Sequence, residues 1–314
     1  MTTLLFYSDS DDIGSRVDWW RDTVAEHMPE LEFRAWPDAG DLAQIDYALV
    51  WKPEPGLLAS LPNLKAILSL GAGVDHIFAD PQLPQGVPIS RVVNGNMALR
   101  MREWVLLHVL SHHRRQREYN QLQRARVWRD LEQPHAGERC VGVMGLGELG
   151  GDSARHLAAI GFDVIGWSRS PREVPGVRAF HGREGLKAFL AETDILVSVL
   201  PLTPETTDMI NVDFLSRLPR GASFINAGRG QQVVEADLLA ALDSGHISEA
   251  TLDVFQTEPL PVTDPLWTHP RVTVTPHIAA FTDPRALVRQ VVEDIRRVER
   301  GAEVTNPVDP ARGY

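Results

Sequence analysis

A G-x-G-x-x-G lies in the middle of the chain, as Gly145-Leu146-Gly147-Glu148-Leu149-Gly150, and it restricts the possible folds more than any other segment. It directly follows the apolar run 141–144 and begins a helical pattern that continues to residue 160. In that context the first glycine permits a tight turn, the second lets the backbone approach a pyrophosphate, and the third lets the helix pack on the strand. The N–H groups of the helix N-terminus then bind phosphate. We therefore expect these six residues to bind a dinucleotide.

Short apolar runs alternate with helical patterns along the rest of the chain. The runs that predict strands are residues 4–7, 48–51, 66–70, 141–144, 164–167, 195–200, 224–226, 250–254 and 272–275. Helical periodicity is clear in residues 17–27, 103–113, 149–160, 234–242 and 284–300. Continuous apolar strands are typical of parallel sheets covered on both faces, so the pattern predicts a doubly wound α/β architecture.

Two domains are expected from the 314 residues. The helical segment 96–129 lies between two βα arrays and is the best candidate for a connecting helix, and the last helix is expected to return to the first array. We therefore predict a flavodoxin-like substrate domain, residues 1–98 plus 282–314, and a Rossmann dinucleotide-binding domain, residues 99–281. A cleft between the two sheets would receive the ligands.

Charge and composition exclude several classes of partner. The net charge of −11 argues against binding nucleic acid or an anionic membrane, which both require a basic surface. No apolar stretch approaches the roughly 18 residues of a membrane span, and the first residues lack a signal-peptide pattern. The single cysteine, Cys140, begins an apolar run and is expected to be buried and inert. A cytoplasmic location is the resulting expectation.

Two clusters of charged or metal-ligating residues have simpler interpretations. Six arginines fall within residues 114–129 and could bind an anion, but a solvated or subunit-facing helix fits the acidic chain better. His108 and His112 have the spacing of a helical metal pair, but the sequence supplies no obvious third ligand. We expect no metal.

The strand after the glycine motif discriminates between cofactors. An NAD site places Asp or Glu at its end to bind the ribose 2′-OH, whereas here the strand runs into Ser168-Arg169-Ser170. A cation and two hydroxyls suit a 2′-phosphate. A charge-assisted hydrogen bond contributes about 1.5–3 kcal/mol, so Arg169 alone could favour NADPH by roughly tenfold or more. NADPH is the expected cofactor, with NADH a weaker alternative.

Three later strands are each followed by a residue suited to keto-acid chemistry. Arg229, Glu258 and His277 follow the strands that end near residues 226, 254 and 275. Ligands of open α/β sheets bind beyond these strand ends. A guanidinium can hold a carboxylate in a bidentate pair, and an imidazole with a carboxylate neighbour can donate a proton. The set is what the reduction of a 2-keto acid requires.

Together these residues resemble the D-2-hydroxyacid dehydrogenase family over nearly the whole chain. The most specific marks are the central glycine motif and the segments 200–206, Asn226–Gly230, Leu252–Pro259 and Pro276-His277. The segments 47–51, 70–75, 167–169 and 311–314 further resemble the branch that reduces glyoxylate and hydroxypyruvate. The resemblance implies NADPH-dependent reduction of a small 2-keto acid to the D-2-hydroxy acid.

The resemblance also implies a role for each site residue. Arg229 would bind the substrate carboxylate and carbonyl, Glu258 would pair with His277, and His277 would be the general acid. Asp253 would contact the nicotinamide carboxamide. Leu200, Pro201, Thr206, Ala227 and Gly228 would line the cofactor site, and Trp51, Ala72, Gly73 and Val74 the substrate site.

Other functions remain open from the sequence. One is an NAD-linked D-2-hydroxyacid dehydrogenase that acts on a larger 2-keto acid, which cofactor preference would identify. Another is a non-catalytic nucleotide-sensing regulator on the same fold, against which the presence of Arg229, Glu258 and His277 argues. A homodimer is implied by the resemblance, with the polar segment 111–129 as a candidate arm.

Overall fold

The computed structural model describes residues 2–9, 17–93 and 95–310. The chain divides into two compact units, residues 1–96 with 282–314 and residues 97–281. The segment 311–314, which contributed to the family resemblance, lies outside the described residues.

The helices and strands alternate along most of the chain. In order they are β1 (Thr3–Ser8), α1 (Val17–His27), β2 (Glu32–Ala35), β3 (Tyr47–Trp51), β4 (Ala66–Ser69), α2 (Asp75–Phe78), β5 (Ile89–Ser90), α3 (Gly95–His113), α4 (Gln116–Arg124), β6 (Cys140–Met144), α5 (Glu148–Ala159), β7 (Asp163–Ser168), β8 (Arg178–His181), α6 (Gly182–Glu192), β9 (Ile195–Ser198), α7 (Val212–Leu215), β10 (Ala222–Asn226), α8 (Glu235–Asp243), β11 (Ile247–Leu252), β12 (Val272–Val274) and α9 (Pro284–Glu299). Short 3-10 turns include Gly230–Gln232.

The first unit is built on a parallel sheet with the strand order β2-β1-β3-β4-β5. The central strands are buried on both faces, as Leu4, Leu5, Ala48 and Leu49 are completely inaccessible. This burial explains why their sequences are continuous apolar runs and do not alternate with polar residues. The C-terminal helix α9 packs on α1 and β4, so the end of the chain completes this unit.

The second unit contains a seven-stranded parallel sheet with the order β12-β11-β10-β9-β6-β7-β8. Consecutive residues of β10, Phe224 and Ile225, belong to different apolar clusters, so each face of the sheet has its own core. Strand β6 lies between β7 and β9, which follow it on opposite sides. This is the topological switch point, where doubly wound sheets bind their ligands.

The predicted fold class, two doubly wound parallel α/β units, is confirmed. The prediction of one helical segment over residues 96–129 is wrong in its details. Helix α3 ends at His113, Arg115 is left-handed with φ 55°, and α4 ends at Arg124. A left-handed residue interrupts the helical hydrogen-bond pattern, so the segment becomes two helices. None of the described residues of α4 is buried.

Within the described ranges, no helix is long and apolar enough to cross a membrane. The same residues contain no group of three or more His, Cys, Asp or Glu side chains that could hold a metal ion. His112 instead forms a hydrogen bond of 2.9 Å between its Nε2 and Thr251 Oγ1. Burial lowers the pKa of His112 to about 3, so its imidazole is neutral.

Candidate active site

The glycine motif forms the turn between β6 and α5. Gly145 has φ 97°, and a Cβ there would lie 2.8 Å from the Val199 carbonyl oxygen. A Cβ on Gly150 would lie only 2.0 Å from the Gly145 carbonyl oxygen, which explains the close approach of helix and turn. A Cβ on Gly147 would meet no described atom within 4 Å. The middle glycine therefore faces open space, as a site for a bound pyrophosphate requires.

The other residues of the motif support this turn. Leu146 is buried and packs on Gly166 of β7, where a Cβ would lie 2.6 Å from its side chain. Gly147 is the N-cap of α5, and within the described chain no side chain caps that helix. Glu148 and Leu149 form its first turn. The N–H groups of this turn are therefore available to a phosphate.

The end of β7 carries the predicted 2′-phosphate residues. The Ser168 hydroxyl is buried and donates to the Ser170 carbonyl at 2.7 Å, which closes a tight turn. Arg169 and Ser170 are exposed in that turn. The backbone N–H of Glu205 and the Thr203 hydroxyl lower the pKa of Glu205, and Arg169 contributes to the same shift. Arg169 therefore lies within electrostatic range of the loop that follows β9.

The loop after β9 is rigidly organised. The Thr206 hydroxyl donates to the Pro201 carbonyl at 2.8 Å and accepts from the Thr203 N–H at 2.8 Å. The Gln232 amide donates to the carbonyls of Leu200 at 3.1 Å and Pro201 at 2.9 Å. Leu200, Pro201 and Thr206 are thus brought beside the glycine turn, since Val199 contacts Gly145.

Strand β10 ends in a turn that presents Arg229. The Asn226 side chain is completely buried; it accepts from the Gly228 N–H at 3.0 Å and donates to the Arg229 carbonyl at 3.2 Å. Ala227 N–H donates to the Ser198 carbonyl of β9 at 2.9 Å. The Arg229 guanidinium donates to the Gly228 carbonyl at 2.8 Å, and its side chain is half-buried. The guanidinium is therefore held at the carboxyl edge of the sheet.

Asp253, at the end of β11, organises the loop that follows β12. Its carboxylate accepts from the Thr275 hydroxyl at 2.5 Å and from the backbone N–H groups of Ile278 at 2.9 Å and Ala279 at 2.8 Å. The N–H of His277 donates to the Asp253 carbonyl at 2.8 Å. These bonds hold His277 in a left-handed conformation with φ 54°, which non-glycine residues seldom adopt.

His277 and Glu258 form a direct pair. The distance from His277 Nδ1 to Glu258 Oε2 is 2.9 Å, and Glu258 Oε1 accepts from the Phe255 N–H at 3.1 Å. A carboxylate can only accept, so the Nδ1 of His277 carries the proton of this bond. Both side chains are partly buried, with exposures of 32% for His277 and 20% for Glu258. The pair can exchange a proton through the other ring nitrogen, Nε2.

In the first unit, Trp51 packs against Gly71 and His76, which lie on either side of the turn 72–74. The Trp51 ring lies over Gly71, where a Cβ would come within 2.5 Å of Cζ3. The His76 ring lies 4.5 Å from the Trp51 ring between centroids, and its Nδ1 accepts from the Lys52 N–H at 3.1 Å. Ala72 and Gly73 are half-buried and Val74 is buried in the turn before α2.

The second unit therefore brings the glycine turn, Arg229, Glu258 and His277 to the carboxyl edge of one sheet, while Trp51 and residues 72–74 belong to the first unit. Sequence reasoning missed the organising roles of Asn226, Gln232 and Thr275. Asn226 is the last residue of a mostly apolar strand, which is a usable signal for a turn-forming side chain. The sequence around Gln232 contains no such signal.

This chain combines a dinucleotide-type glycine turn with a histidine–carboxylate pair at the edge of one parallel sheet. These features identify it as a two-unit α/β oxidoreductase. Residues 106–279 match the family model described as D-isomer specific 2-hydroxyacid dehydrogenase, NAD binding domain. The chain belongs to this family, which confirms the resemblance predicted from its sequence.

Individual relatives support the same assignment. The chain is 43% identical to a glyoxylate/hydroxypyruvate reductase A from Yersinia enterocolitica over 301 residues, which cover 94% of this chain and 96% of the relative. It is similar to a D-isomer specific 2-hydroxyacid dehydrogenase from Xanthobacter autotrophicus Py2 in complex with NADPH and MES, with 48% identity, a TM-score of 0.93 and coverage of 100% and 99% of the two chains. It is also similar to an NADPH-dependent glyoxylate/hydroxypyruvate reductase from Sinorhizobium meliloti in complex with NADP and sulfate, with 44% identity, a TM-score of 0.94 and complete coverage of both chains.

Proposed function

We propose that this protein reduces a small 2-keto acid of the glyoxylate and hydroxypyruvate class to the D-2-hydroxy acid with NADPH. The observation that carries the proposal is the 2.9 Å pair of His277 and Glu258 on the same sheet edge as Arg229 and the glycine turn. The relatives named above support the substrate class and the cofactor.

The acid–base chemistry follows from the hydrogen bonds of the pair. When bound, NADPH supplies the hydride that reduces the carbonyl carbon. Glu258 accepts from Nδ1 and thereby orients the His277 ring. Nε2 gives its proton to the carbonyl oxygen, and Glu258 stabilises the imidazolium before that transfer. In the opposite direction neutral His277 takes the proton of the hydroxyl group.

Arg229 binds the substrate through its guanidinium. A bidentate pair with the carboxylate fixes the orientation of the keto acid, and a further N–H polarises the carbonyl group. For the first unit, we propose that Gly73 and Val74 offer backbone N–H groups to the substrate and that Ala72 and Trp51 contact it. On this view residues 1–98 with 282–314 form the substrate domain and residues 99–281 the dinucleotide-binding domain.

The described residues fit NADPH. Gly147 leaves open space beside the first turn of α5, which suits the pyrophosphate. Arg169 and Ser170 bind the 2′-phosphate, and Ser168, whose buried hydroxyl donates to the Ser170 carbonyl, closes the turn that carries them. Leu200, Pro201, Thr206, Ala227 and Gly228 line the rest of the site, and Asp253 binds the nicotinamide carboxamide.

The protein is further proposed to be a cytoplasmic homodimer. Leu107 and Leu110 on α3, and Val127 and Trp128 after α4, are exposed apolar side chains within one stretch of the chain, and Trp128 is completely exposed. A second copy of the chain would cover them. Light scattering of the purified protein should give twice the mass of the chain, and Trp128→Ser should shift the mass towards that of the monomer. The single thiol fits a reducing compartment.

The first experiment is the initial rate of NADPH and NADH oxidation at 340 nm with glyoxylate, hydroxypyruvate, pyruvate and phenylpyruvate. We expect rapid NADPH-linked turnover of glyoxylate and hydroxypyruvate. Turnover with NADH alone, or only with phenylpyruvate, would indicate an NAD-linked enzyme for larger acids. Tight NADPH binding without turnover of any acid would indicate a nucleotide-sensing protein.

A further inference from the structure

Gln232 is a completely buried polar side chain next to two predicted binding segments. It ends the 3-10 turn Gly230–Gln232, three residues after Arg229. Its Nε2 donates to the carbonyls of Leu200 and Pro201 at 3.1 and 2.9 Å, and its Oε1 accepts from the Arg229 N–H at 3.1 Å. Both N–H bonds of the amide are therefore used, and its oxygen has a partner.

The partners of Gln232 belong to separate parts of the site. Leu200 and Pro201 form the loop after β9, which is beside the glycine turn, and Arg229 belongs to the loop after β10. The Pro201 carbonyl also accepts from the Thr206 hydroxyl at 2.8 Å, so the amide joins a loop that is already internally bonded. Gln232 thus links Arg229 to the loop after β9, residues 199–207, which we call the cofactor loop.

The space around this link is closely filled. A Cβ on Gly228 would lie 2.6 Å from the Gln232 Oε1 and 2.8 Å from the Leu200 carbonyl oxygen. The glycine is required here because the two loops approach each other across the amide. The backbone of Gln232 is held as well, since the Ile210 N–H donates to its carbonyl at 2.8 Å.

We propose that Gln232 is a positioning residue that fixes the cofactor loop and Arg229 as one body, so that NADPH and the 2-keto acid are bound in register. This inference rests on the proposed function of those loops. A buried amide with three hydrogen bonds fixes geometry better than packing alone. Any movement that breaks one of these bonds leaves a buried polar group without a partner, which costs free energy. Removal of the amide should therefore weaken binding of both ligands.

The test compares Gln232→Met with Gln231→Met. Methionine has nearly the volume of glutamine but cannot donate or accept strongly, so the first variant removes the link without a large cavity. Gln231 is its exposed neighbour, whose amide contacts only the Gln256 carbonyl among the described residues, at 3.1 Å. Nucleotide fluorescence gives the NADPH dissociation constants, and the 340 nm assay gives KM and kcat for glyoxylate. Both measurements are made well below the unfolding temperature of each variant.

For Gln232→Met we expect the NADPH Kd and the glyoxylate KM each to rise about tenfold, while Gln231→Met stays within twofold of wild type. A variant that unfolds at lower temperature but keeps both constants within twofold would overturn the positioning role. If Gln232→Met does not fold, Gln232→Glu serves instead. It keeps an acceptor for the Arg229 N–H but loses donors to the Leu200 and Pro201 carbonyls, so the NADPH Kd should rise more than the KM. If the NADPH Kd and the glyoxylate KM of Gln232→Glu equal those of wild type, the positioning role is again refuted.

The wild-type protein separates this test from that of the proposed function. Wild type that binds NADPH but reduces no 2-keto acid contradicts the proposed reaction, yet the Kd ratio between variant and wild type still reports on Gln232. The other outcome is that the wild-type protein turns over glyoxylate, while Gln232→Met has the same NADPH Kd and glyoxylate KM. That result supports the proposed reaction and refutes the positioning role.

Discussion

The same alanine substitution at two glycines of one motif should affect different properties: NADPH binding at Gly147 and stability at Gly150. At Gly147 the new methyl group would enter open space, where no described atom lies within 4 Å, and φ is −78°, which alanine adopts readily. Alanine is a poorer N-cap than glycine, but it also reduces the entropy of the unfolded chain. The two effects nearly cancel, so the unfolding temperature should change by less than about 2 °C.

At Gly150 the methyl group would collide with the backbone. Its Cβ would lie 2.0 Å from the Gly145 carbonyl oxygen, so helix and turn must separate by about 1 Å to reach even 3.0 Å. Overpacking of this kind destabilises by about 1–3 kcal/mol. The second unit has 185 residues (97–281), and for this size each kcal/mol corresponds to about 2–4 °C. Gly150→Ala should therefore lower the unfolding temperature of this unit by about 2–12 °C.

Ligand binding should separate the two variants. The open space at Gly147 is where the pyrophosphate is proposed to approach the backbone, so Gly147→Ala should raise the NADPH Kd at least tenfold, about 1.4 kcal/mol. Fluorescence titration and thermal unfolding on the same samples measure both quantities. An unchanged NADPH Kd in Gly147→Ala would show that the pyrophosphate does not lie there. Wild-type stability in Gly150→Ala would refute the packing explanation.

Three further variants test separate parts of the site and fold. Arg169→Ala should lower kcat/KM with NADPH by roughly tenfold or more and spare NADH, and equal losses with both would contradict 2′-phosphate binding. His277→Ala should bind NADPH normally but lose at least about a hundredfold in turnover, whereas near-normal rates would exclude a general acid there. Burial lowers the pKa of His112 to about 3, so the unfolded chain takes up a proton below pH 6.5 that the folded chain does not. Stability should fall by about 1.4 kcal/mol per pH unit between pH 6.5 and about 3. Denaturant unfolding at pH 7.5 and 5 should show a smaller loss of unfolding free energy in His112→Gln than in wild type. Identical losses in the two proteins would refute the buried, neutral state of His112.

The sequence predicts the strands at the centre of each sheet better than those at the edges. Strands such as β3 and β9 are buried on both faces, and their continuous apolar runs identify them. Strands β2 and β8 were missed because they lie at sheet edges, where their residues are only half-buried or exposed. Strand β5 has only two residues, Ile89 and Ser90, too few for any pattern.

In the candidate site, features that depend on the local sequence could be predicted, and contacts between distant segments could not. Strand ends are visible in the sequence, and in a parallel sheet they meet at one edge, so the proximity of Glu258 and His277 could be expected from their positions. The partners of Gln232 lie 31 and 32 residues away for the Pro201 and Leu200 carbonyls. Such a contact depends on how two loops pack after the sheet has formed. No spacing rule along the chain predicts it.

Asp253 holds the loop that carries His277, and it is also the residue proposed to bind the nicotinamide. A left-handed residue is strained by roughly 1–2 kcal/mol, and the hydrogen bonds of Asp253 to the loop 275–279 offset this strain at His277. Asp253 Oδ1 accepts from both Thr275 and Ile278, whereas Oδ2 accepts only from Ala279 among the described residues. A carboxylate oxygen can accept two hydrogen bonds, so Oδ2 retains the capacity to accept a carboxamide N–H. On the proposed function, the carboxylate that holds the loop of the proton donor would also bind the nicotinamide, and one side chain would then place the hydride and the proton relative to each other.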